Sequence, residues 1–119
     1  MRSILIADDN EVNTFVLKQV LTRQGIEVSV AEDGERAVEM AISNDFDLVL
    51  MDLNMPILDG TDATIQILAQ KPSYKIVAMT ALTDEEAAEA IQGIGMKGYV
   101  TKPFDPDQLT NKLVELLND

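Results

Sequence analysis

Residues 47–60 read DLVLMDLNMPILDG, and this stretch carries the strongest indication of the fold. Its first part, 47–51, is an apolar run of the length of one buried β-strand. Asp52 follows the run directly, and the loop after it ends at Asp59, a residue type that caps helices well. A buried strand that leads through a loop into a capped helix is typical of an α/β protein with a parallel sheet.

The same alternation of strand and helix extends over the rest of the chain. Strands are predicted at 3–7, 27–31, 47–51, 75–79 and 97–101, and helices at about 11–24, 34–43, 60–69, 84–92 and 106–117. The first, third and fourth strands are the most apolar, so we expect them at the centre of a parallel sheet covered on both faces. Right-handed crossovers then favour the order 2-1-3-4-5 in one doubly wound (βα)5 domain.

Apolar residues also indicate which faces of the helices are buried. In the first helix Val12, Phe15, Val16, Gln19 and Val20 lie near one stripe. Sequence features mark several helix starts: Asp33, Asp59 and Asp105 as N-caps, and Thr83 with Glu86 as a capping box.

Length and charge restrict the function. The chain has 119 residues, which suits one domain. It has 9 basic and 21 acidic residues and a net charge of −12, which disfavours direct contact with nucleic acid or an anionic membrane. No apolar run is long enough to span a bilayer, and the amino terminus does not look like a signal peptide. We therefore expect a cytoplasmic protein.

Two residue types are missing from the sequence. The chain has no cysteine, which removes disulfides, thiol nucleophiles and thiolate-bound zinc. It also has no histidine, which removes Ser-His-Asp triads and imidazole bases or metal ligands. Any metal site must therefore use oxygen ligands, which favours Mg²⁺, Ca²⁺ or Mn²⁺.

Charged and polar residues follow the predicted strands at their carboxyl ends. They are Asp8 and Asp9 after the first strand, Asp52 after the third, Thr80 after the fourth and Lys102 after the fifth. In a sheet of this order, ligands bind at the carboxyl edge where the winding reverses, here between the first and third strands. Three carboxylates brought together repel one another, and a divalent cation such as Mg²⁺ would relieve the repulsion.

Asp52 is also a candidate nucleophile. A carboxylate can attack phosphorus and form an aspartyl phosphate, provided that the negative charges are neutralised. Mg²⁺ and Lys102 would supply that neutralisation, and the Thr80 hydroxyl could bind a phosphoryl oxygen. Ala81 is small enough to leave access to that oxygen.

Four stretches together resemble the receiver domains of two-component response regulators. They are ILIADDNEVN (4–13), DLVLMDLNMPILDG (47–60), VAMTAL (77–82) and GYVTKPFD (98–105), in order and correctly spaced. The resemblance covers essentially the whole chain, so it implies a flavodoxin-like receiver domain over residues 1–119.

The resemblance also implies roles for individual residues. Asp52 would be the phosphoacceptor. Asp8 and Asp9 would hold Mg²⁺ together with Asp52, with Asp9 favoured over Asp8 as a direct ligand, and the backbone carbonyl of Asn54 would complete the protein ligands. Thr80 would bind the phosphoryl group.

Two further roles follow for the fifth strand and the loop after it. Lys102 would contact the phosphoryl group, and the Lys102–Pro103 peptide bond would be cis. Tyr99 stands three residues before the lysine, at the position of the family's switch aromatic. Thr80 and Tyr99 would move after phosphorylation and change the face formed by the fourth helix, fifth strand and fifth helix.

The function expected from this resemblance is a signalling switch and not an enzyme acting on other molecules. The chain has no histidine, so the phosphohistidine donor must be another molecule or domain: a histidine kinase or a histidine phosphotransfer protein. The output would be a downstream effector or a fused output domain, and a phosphorylation-dependent homodimer is also compatible with the sequence.

Several alternatives remain open from sequence. Asn10, Asn13 and Gly95-Met96 look more like receivers attached to hybrid histidine kinases. An aspartate-nucleophile phosphohydrolase of the haloacid dehalogenase kind would need an acid where Asn54 stands. A flavodoxin-like cofactor module would need a phosphate-binding loop after the first strand, where the two aspartates would repel phosphate. An inert receiver-like interaction domain would not need the complete set of site residues.

Overall fold

The computed structural model describes residues 2–102 and 105–118, and strands and helices alternate along them. The strands are β1 (Ser3–Ala7), β2 (Glu27–Ala31), β3 (Leu48–Asp52), β4 (Ile76–Thr80) and β5 (Gly98–Thr101). The helices are α1 (Glu11–Arg23), α2 (Gly34–Ser43), α3 (Gly60–Gln70), α4 (Asp84–Ala90) and α5 (Pro106–Leu117). None of these helices is long and apolar enough to cross a membrane.

The five strands form one parallel sheet in the order β2-β1-β3-β4-β5, which confirms the predicted topology. Every residue of β3 and β4 is buried, and so are the last four residues of β1. The two edge strands are less buried, as expected from their more polar sequences. Continuous apolar strands of this kind are found where helices cover both faces of a sheet.

Alternate side chains of each strand enter two separate cores. Ile4 and Ile6 of β1 join leucines of α1 and α5 on one face of the sheet. Leu5 and Ala7 point to the other face, where they join small and branched residues of α2 and α3. The cores hold the sheet rigidly from both sides, so the loops at its carboxyl edge start from fixed positions.

The predicted helix starts are confirmed. Asp33 accepts a hydrogen bond from the backbone of Arg36, and Asp59 does the same from Asp62. Asp105 caps α5. Thr83 and Glu86 form the predicted reciprocal capping box. The bounds differ slightly from prediction: β3 and β4 begin and end one residue later, β5 begins one residue later at Gly98, and α4 ends two residues earlier at Ala90.

The apolar stripe of α1 is not its buried face, which corrects the sequence reading. Leu17 and Leu21, four residues apart, pack into the core. Val12 and Phe15 of the stripe are instead 72% and 62% exposed, and Val16 is also exposed. The apolar residues of α1 are distributed around much of its circumference, so periodicity alone does not determine which of them face the sheet. We call Val12, Phe15 and Val16 the α1 apolar face.

The opposite, amino-terminal edge of the sheet is held by a tyrosine that the sequence analysis did not single out. Phe46 donates its backbone N–H to the Tyr74 hydroxyl at 3.0 Å, and that hydroxyl lies 2.8 Å from the carbonyl oxygens of both Ala41 and Asn44. Lys71 donates to the same Asn44 oxygen at 3.0 Å. These residues form what we call the amino-edge clasp, which joins the end of α2 to the chain entering β4.

Candidate functional site

The carboxyl edge of the sheet brings together the five site residues that were predicted to follow the strands. Asp8 and Asp9 directly follow β1, Asp52 ends β3, Thr80 ends β4, and Lys102 follows β5. The parallel register places these strand ends side by side, since Asp52 pairs with Met79 and Thr80 pairs with Thr101. We call this group the carboxyl-edge site.

Three carboxylates of the site lie close together. Asp8, Asp9 and Asp52 each present an oxygen, and these oxygens lie within 4.8 Å of one another. Asp8 and Asp52 are buried, whereas Asp9 is exposed and borders the solvent. This arrangement can hold a small divalent cation, because Mg²⁺ and Ca²⁺ bind carboxylate oxygens at about 2.0–2.6 Å.

Lys102 connects the two buried carboxylates. Its ammonium nitrogen lies 3.2 Å from Asp52 Oδ2 and 3.5 Å from Asp8 Oδ2. Within residues 2–102 and 105–118 it is the only basic group ion-paired with these aspartates. Three carboxylates therefore face one ammonium, and the site has an excess of negative charge.

Hydrogen bonds from neighbouring residues fix the orientation of the buried carboxylates. Asn10 donates its backbone N–H to Asp8 Oδ1 at 2.9 Å, and the Asn13 side-chain amide donates to Asp8 Oδ2 at 3.4 Å. Asn54 donates its backbone N–H to Asp52 Oδ1 at 3.0 Å. Oδ2 of Asp52 is the oxygen that faces Lys102.

The pKa of Asp52 is raised above its ordinary value of 3.8, chiefly because burial disfavours the charged form. The Asn54 hydrogen bond and the positive charge of Lys102 oppose this effect, whereas Asp8 raises the pKa further. The effects of burial and of Asp8, which raise the pKa of Asp52, therefore outweigh the effects of Lys102 and the Asn54 hydrogen bond, which lower it. A cation added to the site would stabilise the charged form of Asp52.

The loop between β3 and α3 packs tightly against the backbone of Asp52. A Cβ atom added to Gly60 would lie 2.1 Å from the Asp52 carbonyl oxygen, so only glycine fits there. Gly60 also donates its N–H to the carbonyl of Leu53 at 3.1 Å. The start of α3 thus closes directly onto the strand end that presents Asp52.

Thr80 lies on β4, the strand next to Asp52, and Tyr99 lies on β5, one strand further out. Thr80 is buried, and its hydroxyl oxygen accepts the backbone N–H of Leu82 at 3.2 Å. Tyr99 is half-buried on β5, and the ammonium of Lys112 lies 4.7 Å from the centre of its ring, a cation–π distance. The predicted cis bond at Lys102–Pro103 involves a residue outside the described part of the chain.

The hydrogen bonds that Asn10 and Asn13 make to Asp8 were not predicted from the sequence, in which these two asparagines indicate only the hybrid-kinase type. One signal was available: asparagine is a strong N-cap, so Asn10 directly before a predicted helix indicates its start. Asn13 then stands in the first turn of that helix, next to the two aspartates.

Comparison with known proteins agrees with this geometry. The family model of the response regulator receiver domain matches residues 4–114. The chain is 34% identical to the chemotaxis protein CheY of Halobacterium salinarum, with coverage of 98% of this chain and 97% of that protein. It is 33% identical to the alkaline phosphatase synthesis transcriptional regulatory protein PhoP of Bacillus subtilis, covering 98% of this chain and 48% of the relative.

Solved structures show the same likeness. The receiver domain of a sensor histidine kinase from Pseudomonas aeruginosa, solved with a magnesium ion in its active site cleft, superposes with a TM-score of 0.90 and 34% identity, covering 99% of this chain and 98% of that one. The response regulator TrrA of Thermotoga maritima, in complex with Mg²⁺-BeF, gives a TM-score of 0.88 and 32% identity, covering 98% and 99%.

The relatives differ greatly in length. The chain spans 7% of hybrid signal transduction histidine kinase I of Dictyostelium discoideum and 17% of the autoinducer sensor kinase/phosphatase CqsS of Vibrio cholerae. The shared region is therefore one module that occurs alone and within longer signalling proteins. With the family model matching most of its length, the chain belongs to the response regulator receiver domain family of two-component signalling.

Proposed function

We propose that residues 1–119 form one receiver domain that accepts a phosphoryl group on Asp52. The donor is a phosphohistidine on a histidine kinase or a histidine phosphotransfer protein. The observation that carries this proposal is the environment of Asp52: a buried carboxylate at a strand end, 3.2 Å from the ammonium of Lys102 and close to two further aspartates. A carboxylate in this position can act as a nucleophile toward phosphorus.

The proposed step is a direct transfer. A carboxylate oxygen of Asp52 forms the new P–O bond while the P–N bond to the donor imidazole breaks. The electron pair of the broken bond stays on the imidazole nitrogen, which takes up a proton. Lys102 and the Thr80 hydroxyl bind the transferred phosphoryl oxygens, and both already lie at the ends of neighbouring strands.

The site's residues fit Mg²⁺ as a cofactor. They offer only oxygen ligands, the three carboxylates converge, and their charge exceeds that of Lys102. Asp8, Asp9, Asp52 and the backbone carbonyl of Asn54 would hold the ion, which when bound supplies positive charge against the phosphoryl oxygens. Two relatives support the assignment: one was solved with a magnesium ion in its active site cleft and the other in complex with Mg²⁺-BeF.

Thr80 and Tyr99 are the proposed switch residues. Lys102 donates its backbone N–H to the Thr80 carbonyl at 2.6 Å, which connects the ends of β4 and β5. If phosphorylation of Asp52 draws the side chain of Thr80 or Lys102 inward, the movement is therefore transmitted to both strands. Tyr99 lies on β5, two residues before the strand end. The face formed by α4, β5 and α5 would then change and contact a downstream effector, a fused output domain or a second phosphorylated copy.

The α1 apolar face supports a protein donor. Val12 stands three residues after Asp9, so this face begins beside the site, and its exposed side chains could be covered by the donor during transfer. We place this exchange in the cytoplasm, consistent with the lack of cysteine, and without direct contact to nucleic acid or membrane.

The receiver family is a family of signalling domains, and we propose that this chain catalyses only its own phosphorylation and dephosphorylation. A receiver within a longer hybrid histidine kinase is the second candidate, which the matches to such kinases favour. The neighbouring coding sequence distinguishes the two. Multiple-turnover hydrolysis of small phosphate esters would instead indicate the phosphohydrolase alternative.

Phosphorylation with radiolabelled acetyl phosphate or a phosphorylated phosphotransfer protein tests the proposal. Asp52→Asn should lose the label completely, because an amide is not a competent nucleophile. Asp62→Asn is the matched control, since Asp62 is exposed on α3 and is not one of the three clustered carboxylates. Acid-stable, undiminished labelling of Asp52→Asn would place the phosphorylated residue elsewhere.

A further inference from the structure

We propose that Asn13 is a positioning residue for Asp8, and that its amide keeps the Asp8 carboxylate in place when Lys102 turns toward a phosphoryl group. The first part concerns the metal-free protein and stands on the contacts alone. The second part rests on the proposed function of Asp52.

Asp8 is a buried carboxylate with a small set of donors. Its side chain is 0% exposed, so solvent does not satisfy its oxygens. Oδ1 accepts the backbone N–H of Asn10 at 2.9 Å. Oδ2 lies 3.4 Å from the Asn13 amide nitrogen and 3.5 Å from the ammonium of Lys102. Both contacts to Oδ2 are long, so the two donors share this oxygen and neither holds it tightly.

The start of α1 determines where the Asn13 amide lies. Asn10 is the N-cap, and its side-chain oxygen accepts the backbone N–H groups of Val12 and Asn13, each at 3.0 Å. Asn13 is therefore the third helical residue. Side chains on a helix lean toward its amino terminus, which for this residue is the direction of Asp8. Asn13 is partly buried there, unlike the exposed Val12.

The difference between the two donors is their charge. Lys102 already lies closer to Asp52 than to Asp8, and a phosphoryl group on Asp52 would add anionic oxygens that attract its ammonium. The Asn13 amide is neutral and anchored on a helix, so the same charge does not draw it away. It is then the side-chain donor that remains on Asp8 Oδ2 among the described residues. A buried carboxylate oxygen left without a donor would be strongly unfavourable.

The first experiment compares Asn13→Asp with a control pair at the neighbouring position, Val12→Asn and Val12→Asp. An acid in the first turn of a helix is normally favourable, because it interacts with the helix dipole. If Asn13 donates to Asp8, however, Asn13→Asp replaces a donor by a fourth carboxylate. We expect the Tm of the metal-free protein to fall by about 4 °C or more in Asn13→Asp, and to stay level or rise from Val12→Asn to Val12→Asp.

An equal or higher Tm for Asn13→Asp, matching the control pair, would overturn the proposal. Asn13→Leu provides a second route that adds no charge. Its destabilising effect should be larger in a Lys102→Ala background than in the wild type, because Asp8 Oδ2 then loses both side-chain donors. Equal effects in the two backgrounds would also overturn the proposal.

Titration with Mg²⁺, followed by thermal melting, separates this inference from the proposed function. Wild type should be stabilised, and Asn13→Leu should need about tenfold more Mg²⁺, as is common when a residue that orients a metal ligand is lost. A wild type that ignores Mg²⁺ would contradict the proposed metal site and leave the metal-free comparison valid. A wild type that responds, with Asn13→Leu responding identically, would refute the positioning role alone.

Discussion

The two edges of the sheet bury polar groups in opposite ways. At the amino-edge clasp, Tyr74 buries one neutral hydroxyl, and backbone groups of three residues lie within hydrogen-bonding distance of it. At the carboxyl-edge site, Asp8 and Asp52 bury two carboxylates, Asp9 adds a third, and one ammonium faces them. The same sheet supports both edges, so the difference comes from the side chains placed at its ends.

This contrast indicates what each edge can do. A satisfied neutral group stabilises one arrangement and responds little to its surroundings. A group of like charges held together by the fold is poorly compensated by the protein itself, so an added cation or a change on one carboxylate alters its energy considerably. The amino edge therefore maintains the fold, and the carboxyl edge is the part that can respond.

Lys102→Ala should have the largest effect on stability. Without the ammonium, two buried carboxylates lose their ion-pair partner, and we expect the metal-free protein to lose about 2–3 kcal/mol in urea unfolding at pH 7. Mg²⁺ should restore much of this loss. Lys97→Ala, which removes an exposed lysine, is the control. If both variants unfold at the same urea concentration, Lys102 does not compensate the site.

Tyr74→Phe should have the next largest effect on stability, because it leaves the Phe46 N–H without its acceptor at the amino-edge clasp. We expect a loss of about 1–2 kcal/mol, against less than about 0.5 kcal/mol for Tyr99→Phe. Chemical unfolding of both variants measures this. A Tyr74→Phe protein as stable as wild type would show that the hydroxyl contacts contribute nothing.

The same residue gives the clasp a pH dependence. Burial raises the pKa of Tyr74 above its ordinary value of 10.0, so the folded state favours the neutral phenol. The stabilising effect is complete below pH 10 and is lost as the pH rises through the folded-state pKa. Wild type should therefore lose stability more steeply than Tyr74→Phe above pH 10, and parallel profiles would contradict this assignment.

Asp52→Asn should act in the opposite direction and stabilise the metal-free protein by roughly 1 kcal/mol at pH 7. Because burial raises the pKa of Asp52, its charge opposes folding once the pH rises through the folded-state pKa. The advantage of the variant should shrink as the pH is lowered through the raised pKa of Asp52, because the wild-type carboxyl then takes up its proton. A variant less stable than wild type at pH 7 would show that the site tolerates its charge.

Asp9→Ala should produce the smallest change in the metal-free protein, within about 0.5 kcal/mol and toward higher stability, because Asp9 is exposed and one like charge is removed. Its effect should emerge with Mg²⁺, which should raise the Tm less than in wild type. An equal Mg²⁺ shift in the two proteins would exclude Asp9 as a ligand.

Sequence predicted the sheet and the convergence at its carboxyl edge because both depend on strong patterns. The short apolar strands fix the parallel sheet, and the order of the strands then places Asp8, Asp52 and Lys102 at one edge regardless of the detailed packing. A residue that directly follows a buried strand has little freedom to lie anywhere other than at the end of that strand.

The parts that sequence did not predict depend on contacts between distant segments. Periodicity could not select Leu17 and Leu21 over Val12 and Phe15, since the choice is made by the sheet and α5. Tyr74 is one aromatic residue before a strand, and nothing in its local sequence indicates that its hydroxyl meets the end of α2, about 30 residues earlier.

The long sequence separation within the carboxyl-edge site has a consequence for synthesis of the protein. Lys102 meets Asp52 across 50 residues, and it follows the last strand of the sheet. A growing chain therefore carries Asp8, Asp9 and Asp52 long before the ammonium that faces them has been made. Until β5 adds to the sheet edge, the three aspartates lack this ammonium. The ion pairs of Lys102 with Asp8 and Asp52 therefore form only when the sheet is complete. If Asp52 is the phosphoacceptor as proposed, a nascent or truncated chain should be a poor acceptor, which would restrict signalling to molecules that have folded through their final strand.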